Sequence, residues 1–165
     1  MTERAPEVVE ALIVQLEAGS VLLPRSALLE VTTRPGGMQT ERAHPEFPWL
    51  EPNLVWQDVQ VPVVNVSRLL DPEQEIVDSQ RRFTRLMVMQ AVDQPQRLPF
   101  YALEVRGTPH PVRITQQNIY PLEDVDSTPW AWRVKASGVT TQLLRLDVIE
   151  QRLLALGEAG AAATS

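Results

Sequence analysis

The residues of this chain that could do chemistry are few and scattered. Its two histidines stand in "HPEFP" and "HPVRI", as His44 and His110. A proline holds the residue before it in extended backbone, so each histidine is expected in a loop or at a strand edge. Neither has the second histidine that a helical His-Glu-x-x-His zinc site requires. There is no cysteine. Thiolate nucleophiles, disulfides and cysteine-based zinc sites are therefore excluded. The carboxylates gather in "DPEQEIVD" and "LEDVD". These runs lack the alternating oxygen ligands and central glycine of a calcium loop, and read as solvated connections. The glycines of "RPGG" have no strand before them and no helix after them, as a phosphate cradle would need. The chain offers no nucleophile, base and orienting group in combination. It is read as non-enzymatic, with no metal and no cofactor.

What remains is surface for binding. The cluster "RRFTR" sets Arg81, Arg82 and Arg85 close together. It is either a charged contact surface or an edge strand blunted by charge, and the second reading is preferred. Trp130 and Trp132 alternate, which would put both on one face of a strand, whereas Trp49 and Trp56 flank Pro52. Such tryptophans are expected in a core or an interface. A net charge of −6 and a pI near 5.0 argue against nucleic acid, whose phosphates need clustered positive charge. The N-terminal "MTERAPEVVEALIVQLEAG" lacks the cationic start and long apolar run of a signal peptide. No apolar run approaches the ~20 residues that span a bilayer. The expectation is a cytoplasmic protein without direct membrane insertion.

The elements that must present such a surface are short strands. "ALIVQLEAGSVLLPRSALLEV" reads as a hairpin turning at Gly19-Ser20, followed by a short turn around Arg25 to Leu28. Residues 32–53, broken by Pro35, Pro45, Pro48 and Pro52, read as a long surface connection. Strand patterns follow in "LVWQDVQVPVVNV", "RFTRLMVMQAV", "PFYALEVRG", "PHPVRIT", "WAWRVKAS" and "VTTQLLRL", the last two joined by a turn at Ser137-Gly138. Pro62 removes a ladder donor from the middle of an apolar strand. That strand is expected at an edge, at a bulge or against a subdomain boundary. The period then changes to helical in "LDVIEQRLLAL", with Asp147 and Glu150 spaced as an N-terminal capping pair. Residues 157–165 are small and polar and are expected to form a flexible tail, as are residues 1–7.

In this order the segments resemble the CheW-like domain of chemotaxis coupling proteins and of the regulatory domain of CheA-type histidine kinases. The resemblance runs from about Leu12 to Leu156. The opening hairpin is similar to that of the family, whose "V-x-E-V/I" ending matches Leu28, Glu30 and Val31. "PNLVWQDVQVPVVNVSRLL" follows the pattern Gly-V-x-N-L-R-G, three residues, P-V-I-D-L, with Pro62-Val63-Val64-Asn65-Val66 in its second half. "YALEVRGTPHPVRIT" and "TTQLLRLDVIEQRLLAL" resemble later family segments. Departures are marked. Pro52 stands for the first glycine, Val55 for the asparagine, Gln57 for the arginine, Asp58 for the following glycine and Asn65 for the aspartate.

The resemblance implies a mainly β domain over residues 8–156, made of two small, intertwined, five-stranded SH3-like barrels with a C-terminal helix. It implies an adaptor that couples a methyl-accepting chemotaxis receptor to the regulatory domain of a CheA-like histidine kinase. The implied protein-binding residues are Leu28, Glu30, Val31, Gln57, Asp58 and Pro62. The departures point to an accessory member, such as the ChpC-like or PilI-like proteins of chemosensory systems that control type IV pili and twitching. The alternative is a small-ligand-binding or purely structural β-barrel without a kinase partner.

Overall fold

The computed structural model describes residues 8–16, 19–33, 47–71, 84–122 and 128–164. The first hairpin pairs β1 (Val9–Gln15) with β2 (Ser20–Pro24). Gly19 turns it at φ +82, a left-handed backbone that glycine adopts without a Cβ clash. One 3₁₀ turn, Arg25–Ala27, leads into β3 (Leu28–Thr32). The middle of the chain then forms β4 (Leu50–Trp56), β5 (Val59–Asn65), α1 (Val66–Leu70), β6 (Arg85–Gln90) and β7 (Phe100–Val105). It closes with β8 (His110–Ile114), β9 (Ile119–Pro121), β10 (Ala131–Ala136), β11 (Val139–Leu144) and α2 (Leu146–Thr164).

These strands form two sheets, one of six strands in the order β8-β1-β2-β11-β10-β9 and one of five in the order β3-β6-β7-β5-β4. The two ends of the chain build the first sheet and its middle builds the second. Parallel pairing of β11 with β2, through Gln142 opposite Val21 and Leu143 opposite Leu22, locks the ends together. Each sheet curls around an apolar cluster of its own. In the first, all six strands contribute, through Ala11, Leu22, Ile114, Ile119, Val134 and Leu143. Its two edge strands are joined by a short turn in which the Thr115 N–H donates to Asn118 Oδ1 (2.7 Å) and Asn118 Nδ2 donates to the Arg113 carbonyl (3.0 Å). The second sheet encloses Leu54, Val61, Val63, Leu86, Val88 and Ala102. Trp56 Nε1 donates to Glu30 Oε2 and so ties together its two edge strands, β4 and β3.

The outer faces of both barrels meet over a third and larger cluster. Val14, Val21 and Leu23 supply one side, and Val64, Met87, Met89, Tyr101 and Leu103 the other. Leu146, Ile149 and Leu153 of α2 cover it. Strands β6 and β7 are therefore buried on both faces. That explains why "LMVM" and "YALEV" are nearly continuous apolar runs rather than alternating ones. The fold is mainly β, with two barrels wound into one another and a C-terminal helix.

Several sequence expectations are corrected. The first barrel has six strands, because Ile119–Pro121, which shows none of the strand patterns in the sequence, pairs with β10. The single strand expected over "LVWQDVQVPVVNV" is a hairpin that turns at Gln57-Asp58. Strand β4 starts at Leu50 and contains Pro52, so the proline-broken connection is shorter than 32–53. Pro52 and Pro62 coexist because the β4–β5 ladder shifts register between Glu51/Val63 and Leu54/Val61. Both prolines fall in that bulge, where missing N–H donors cost no ladder bonds. Strand β5 is thus an interior strand whose proline sits at a bulge.

Arg85 opens β6, which lies between β3 and β7, so the expected blunted edge is an interior strand. Arg81, Arg82, His44 and most of the carboxylate runs lie outside the described residues. Asp147 lies inside the first turn of α2 instead of at its cap, and Glu150 is buried beneath the helix. The helix continues past Leu156 to Thr164, where four alanines favour it although Gly157 and Gly160 do not. Trp130 precedes β10 and packs on Trp49 at 5.9 Å, whereas Trp132 on the strand is exposed.

Candidate protein-interaction site

Four of the six predicted binding residues lie at the free edges and the hairpin tip of the second barrel. Gln57 (φ 48) and Asp58 (φ 63) are the two residues of the β4–β5 turn, closed by the pairing of Trp56 with Val59. Positive φ at both positions is the signature of a two-residue type I′ turn, whose twist matches the flanking strands. Asp tolerates this backbone better than most residues with a Cβ, so the turn survives where the family pattern has glycine at 58. Both side chains are exposed.

Trp56 anchors this tip. Its ring meets Phe100 edge-on at 5.2 Å and 69°, and its indole N–H donates to Glu30. Glu30 of β3 is thereby held beside the hairpin, joining residues far apart in sequence. Trp56 and Phe100 were missed as site residues. The alternation in "NLVW" could have placed Trp56 on the inward face with Leu54, but nothing local marks its partner.

Among the described residues, strand β3 has β6 on one side and no strand on the other. Its ladder shifts between Leu28 and Glu30, so Leu29 is the bulged residue. Leu29 is 42% exposed and Val31 38% exposed. An apolar, bulged edge strand is a ready surface for a partner, and the bulge deters uncontrolled pairing. Leu28 is placed differently. It is half-buried and packs against the cluster between the barrels. Pro62, also half-buried, lies at the bulge of β5 and away from the hairpin tip. The exposed contact residues of β3 are therefore Leu29, Glu30 and Val31.

Beneath the β5 end of this barrel lies a buried polar cluster. Asn65 caps α1, its Oδ1 accepting from the Arg68 N–H at 3.2 Å. Its Nδ2 donates to Glu51 Oε1 (3.2 Å) and to Glu104 Oε2 (2.9 Å). The Arg68 guanidinium stands 3.7 Å from Glu51. An aspartate at 65 could cap the helix equally well, but it would face two buried carboxylates with no donor between them. The amide supplies that donor, which accounts for Asn65 where the family pattern has aspartate.

His110 is exposed at the first position of edge strand β8. No three His, Cys, Asp or Glu side chains converge on a metal-sized space among the described residues. No described helix is long and apolar enough to cross a membrane.

No family model matches this sequence, and no curated protein matches it. Among solved structures, the chain is similar to the scaffolding protein TtCheW from Thermoanaerobacter tengcongensis. The TM-score is 0.63 and the identity 14%, over 88% of this chain and 90% of that one. At such identity the likeness is one of architecture: this chain has the CheW-like fold.

Proposed function

We propose that the protein is a non-enzymatic adaptor in a bacterial chemosensory pathway, coupling a chemoreceptor to the regulatory domain of a CheA-like histidine kinase. The observation that carries this reading is the two-barrel fold, shared along nearly the full length of both chains with a protein described as a scaffold. The mechanism is placement. A rigid body with two barrels and one common core holds two partners in fixed relation, so that a shift in one biases the other. The second barrel offers the kinase the bulged β3 edge, with Leu29, Glu30 and Val31, and the turn at Gln57 and Asp58.

Gln57 and Asp58 replace the arginine and glycine of the family pattern. A neutral amide loses the guanidinium's fixed charge and fork of donors, so the contact here is hydrogen-bonded rather than ionic. This divergence supports an accessory member, of the kind found in systems controlling type IV pili and twitching. The ligand-binding alternative is disfavoured by the barrel interiors. Val61, Val63, Leu86, Val88 and Ala102 are fully buried and fill the second barrel, and Leu22 and Ala136 lie at the centre of the first.

The test is co-sedimentation of the purified protein with receptor-bearing membranes, with and without the CheA-like kinase of the same genome. The adaptor reading expects the kinase to sediment only when the protein is added. Sedimentation of the kinase to the same extent without it would refute the reading.

A further inference from the structure

A second surface lies away from the β3 edge, where α2 starts against the first barrel. Arg145 links β11 to α2. Its N–H donates to the Trp130 carbonyl at 2.8 Å, and its own carbonyl accepts from the N–H groups of Val148 and Ile149, each at 3.1 Å. The guanidinium so fixed lies 4.5 Å from the centre of the Trp132 ring. Trp132 is 49% exposed. Two turns along α2, the exposed Arg152 places its guanidinium 5.6 Å from the centre of the Phe47 ring. Phe47 meets Trp49 at 5.8 Å, and Trp49 meets Trp130 at 5.9 Å. Phe47, Trp49 and Trp130 thus form a run of rings, half-buried at Phe47 and Trp130 and buried at Trp49, with Arg152 over Phe47 and Arg145 bonded through its backbone to Trp130 and stacked on Trp132.

Charge decides what this surface fits. The chain carries a net charge of −6, yet neither Arg145 nor Arg152 pairs with a carboxylate among the described residues. A guanidinium stacked on a ring keeps its edge free to hydrogen-bond a carboxylate in the ring plane, and stacking limits the entropy lost on doing so. Arg152 stands seven positions after Arg145, which precedes the first residue of α2, so the two backbones lie on one side of the helix with a rise of about 10 Å between them. Two carboxylates three residues apart in a peptide of polyproline II form, which rises about 3.1 Å per residue with three residues per turn, lie on one face at nearly the same spacing. Apolar residues between them would rest on the half-buried rings of Phe47 and Trp130.

We propose that this aromatic and arginine surface is a docking site for an acidic peptide segment of a partner protein, with one carboxylate received by Arg145 and a second by Arg152. An anionic membrane presents similar charge, but a chain of net −6 is repelled from such a surface at longer range. The site is separate from the β3 edge and does not depend on the kinase contact.

The experiment titrates a short synthetic peptide, carrying two glutamates separated by two prolines that hold the polyproline II form, into the full chain while tryptophan emission is followed. A counterpart with glutamines in place of the glutamates serves as the control. The proposal expects saturable binding of the glutamate peptide, weakened by salt, and at least about tenfold weaker binding of the glutamine peptide. Arg152→Gln, at an exposed helical position, should weaken the glutamate peptide to a similar degree, and Arg145→Gln should do the same. Val31→Glu should leave the titration unchanged, so that failure here and failure of the kinase reading are separable. Equal affinity for the two peptides, absence of saturable binding, or indifference to Arg152→Gln would overturn the proposal. So would preferential binding to phosphatidylserine vesicles.

Discussion

Replacing Glu150 by alanine tests how α2 is fixed to the barrels. Glu150 is fully buried, and its carboxylate receives three donors. The Val92 and Asp93 N–H groups donate to Oε1 at 2.8 and 2.9 Å, and the Tyr101 hydroxyl donates to Oε2 at 2.8 Å. Alanine would strand all three. A buried donor left without an acceptor costs about 1–3 kcal/mol. The two backbone groups are part-buried and recover some of that from water, whereas the fully buried Tyr101 hydroxyl does not. The expected loss is about 3 kcal/mol. Glutamine keeps an oxygen for the two backbone N–H groups and offers its NH₂ to the Tyr101 oxygen. Glu150→Gln should therefore cost only about 1 kcal/mol. Urea denaturation measures both. With a slope of about 2 kcal/mol per molar urea, Glu150→Ala should lower the midpoint by about 1.5 M at unchanged slope. Equal losses for the two variants, or a loss below about 1 kcal/mol for alanine, would refute the idea that acceptor capacity at this position holds the helix.

Asp58→Gly should stabilise the protein by about 0.5–1 kcal/mol, since glycine relieves the left-handed strain at φ 63 but loses more chain entropy; thermal denaturation reads the shift. Burial, then the Glu150 charge and the hydrogen bond to it, hold the Tyr101 hydroxyl far above the ordinary phenol range. The unfolded phenol releases its proton from about pH 10 while the native one keeps it, so stability present below that pH should fall as pH rises beyond it. Urea midpoints between pH 9 and pH 11 should show the fall, and Tyr101→Phe should remove part of it. Val31→Glu at the exposed edge should leave the urea midpoint within about 0.5 kcal/mol of the parent while weakening kinase binding. Leu28→Glu, which buries a charge against the core, should instead lower the midpoint itself.

The sequence makes the strands legible wherever one face is buried, as in the first hairpin and in the β10–β11 pair. Their turns, at Gly19-Ser20 and Ser137-Gly138, are marked by glycine. The turn at Gln57-Asp58 carries no such mark, so the β4–β5 hairpin reads as one long strand. The bulge that reconciles Pro52 with Pro62 is a property of the pair, and neither strand alone reveals it. Glu150 has the spacing of a capping residue, and only the packing of α2 onto the 92–93 backbone and Tyr101 shows it to be a buried acceptor. Within the candidate site, alternation separates the exposed turn from the core, but the Glu30–Trp56 bond joins strands at opposite ends of a sheet order that composition does not encode. The bulge at Leu29 likewise turns Leu28 inward, where the family pattern alone would face it toward a partner.

Sedimentation velocity of the purified protein with the regulatory domain of the CheA-like kinase from its own genome tests the central claim most directly. The account predicts a one-to-one complex at micromolar concentration, lost in Val31→Glu and retained in Arg152→Gln. Independent sedimentation of the two proteins at the highest attainable concentration, or a complex indifferent to Val31→Glu, would contradict it.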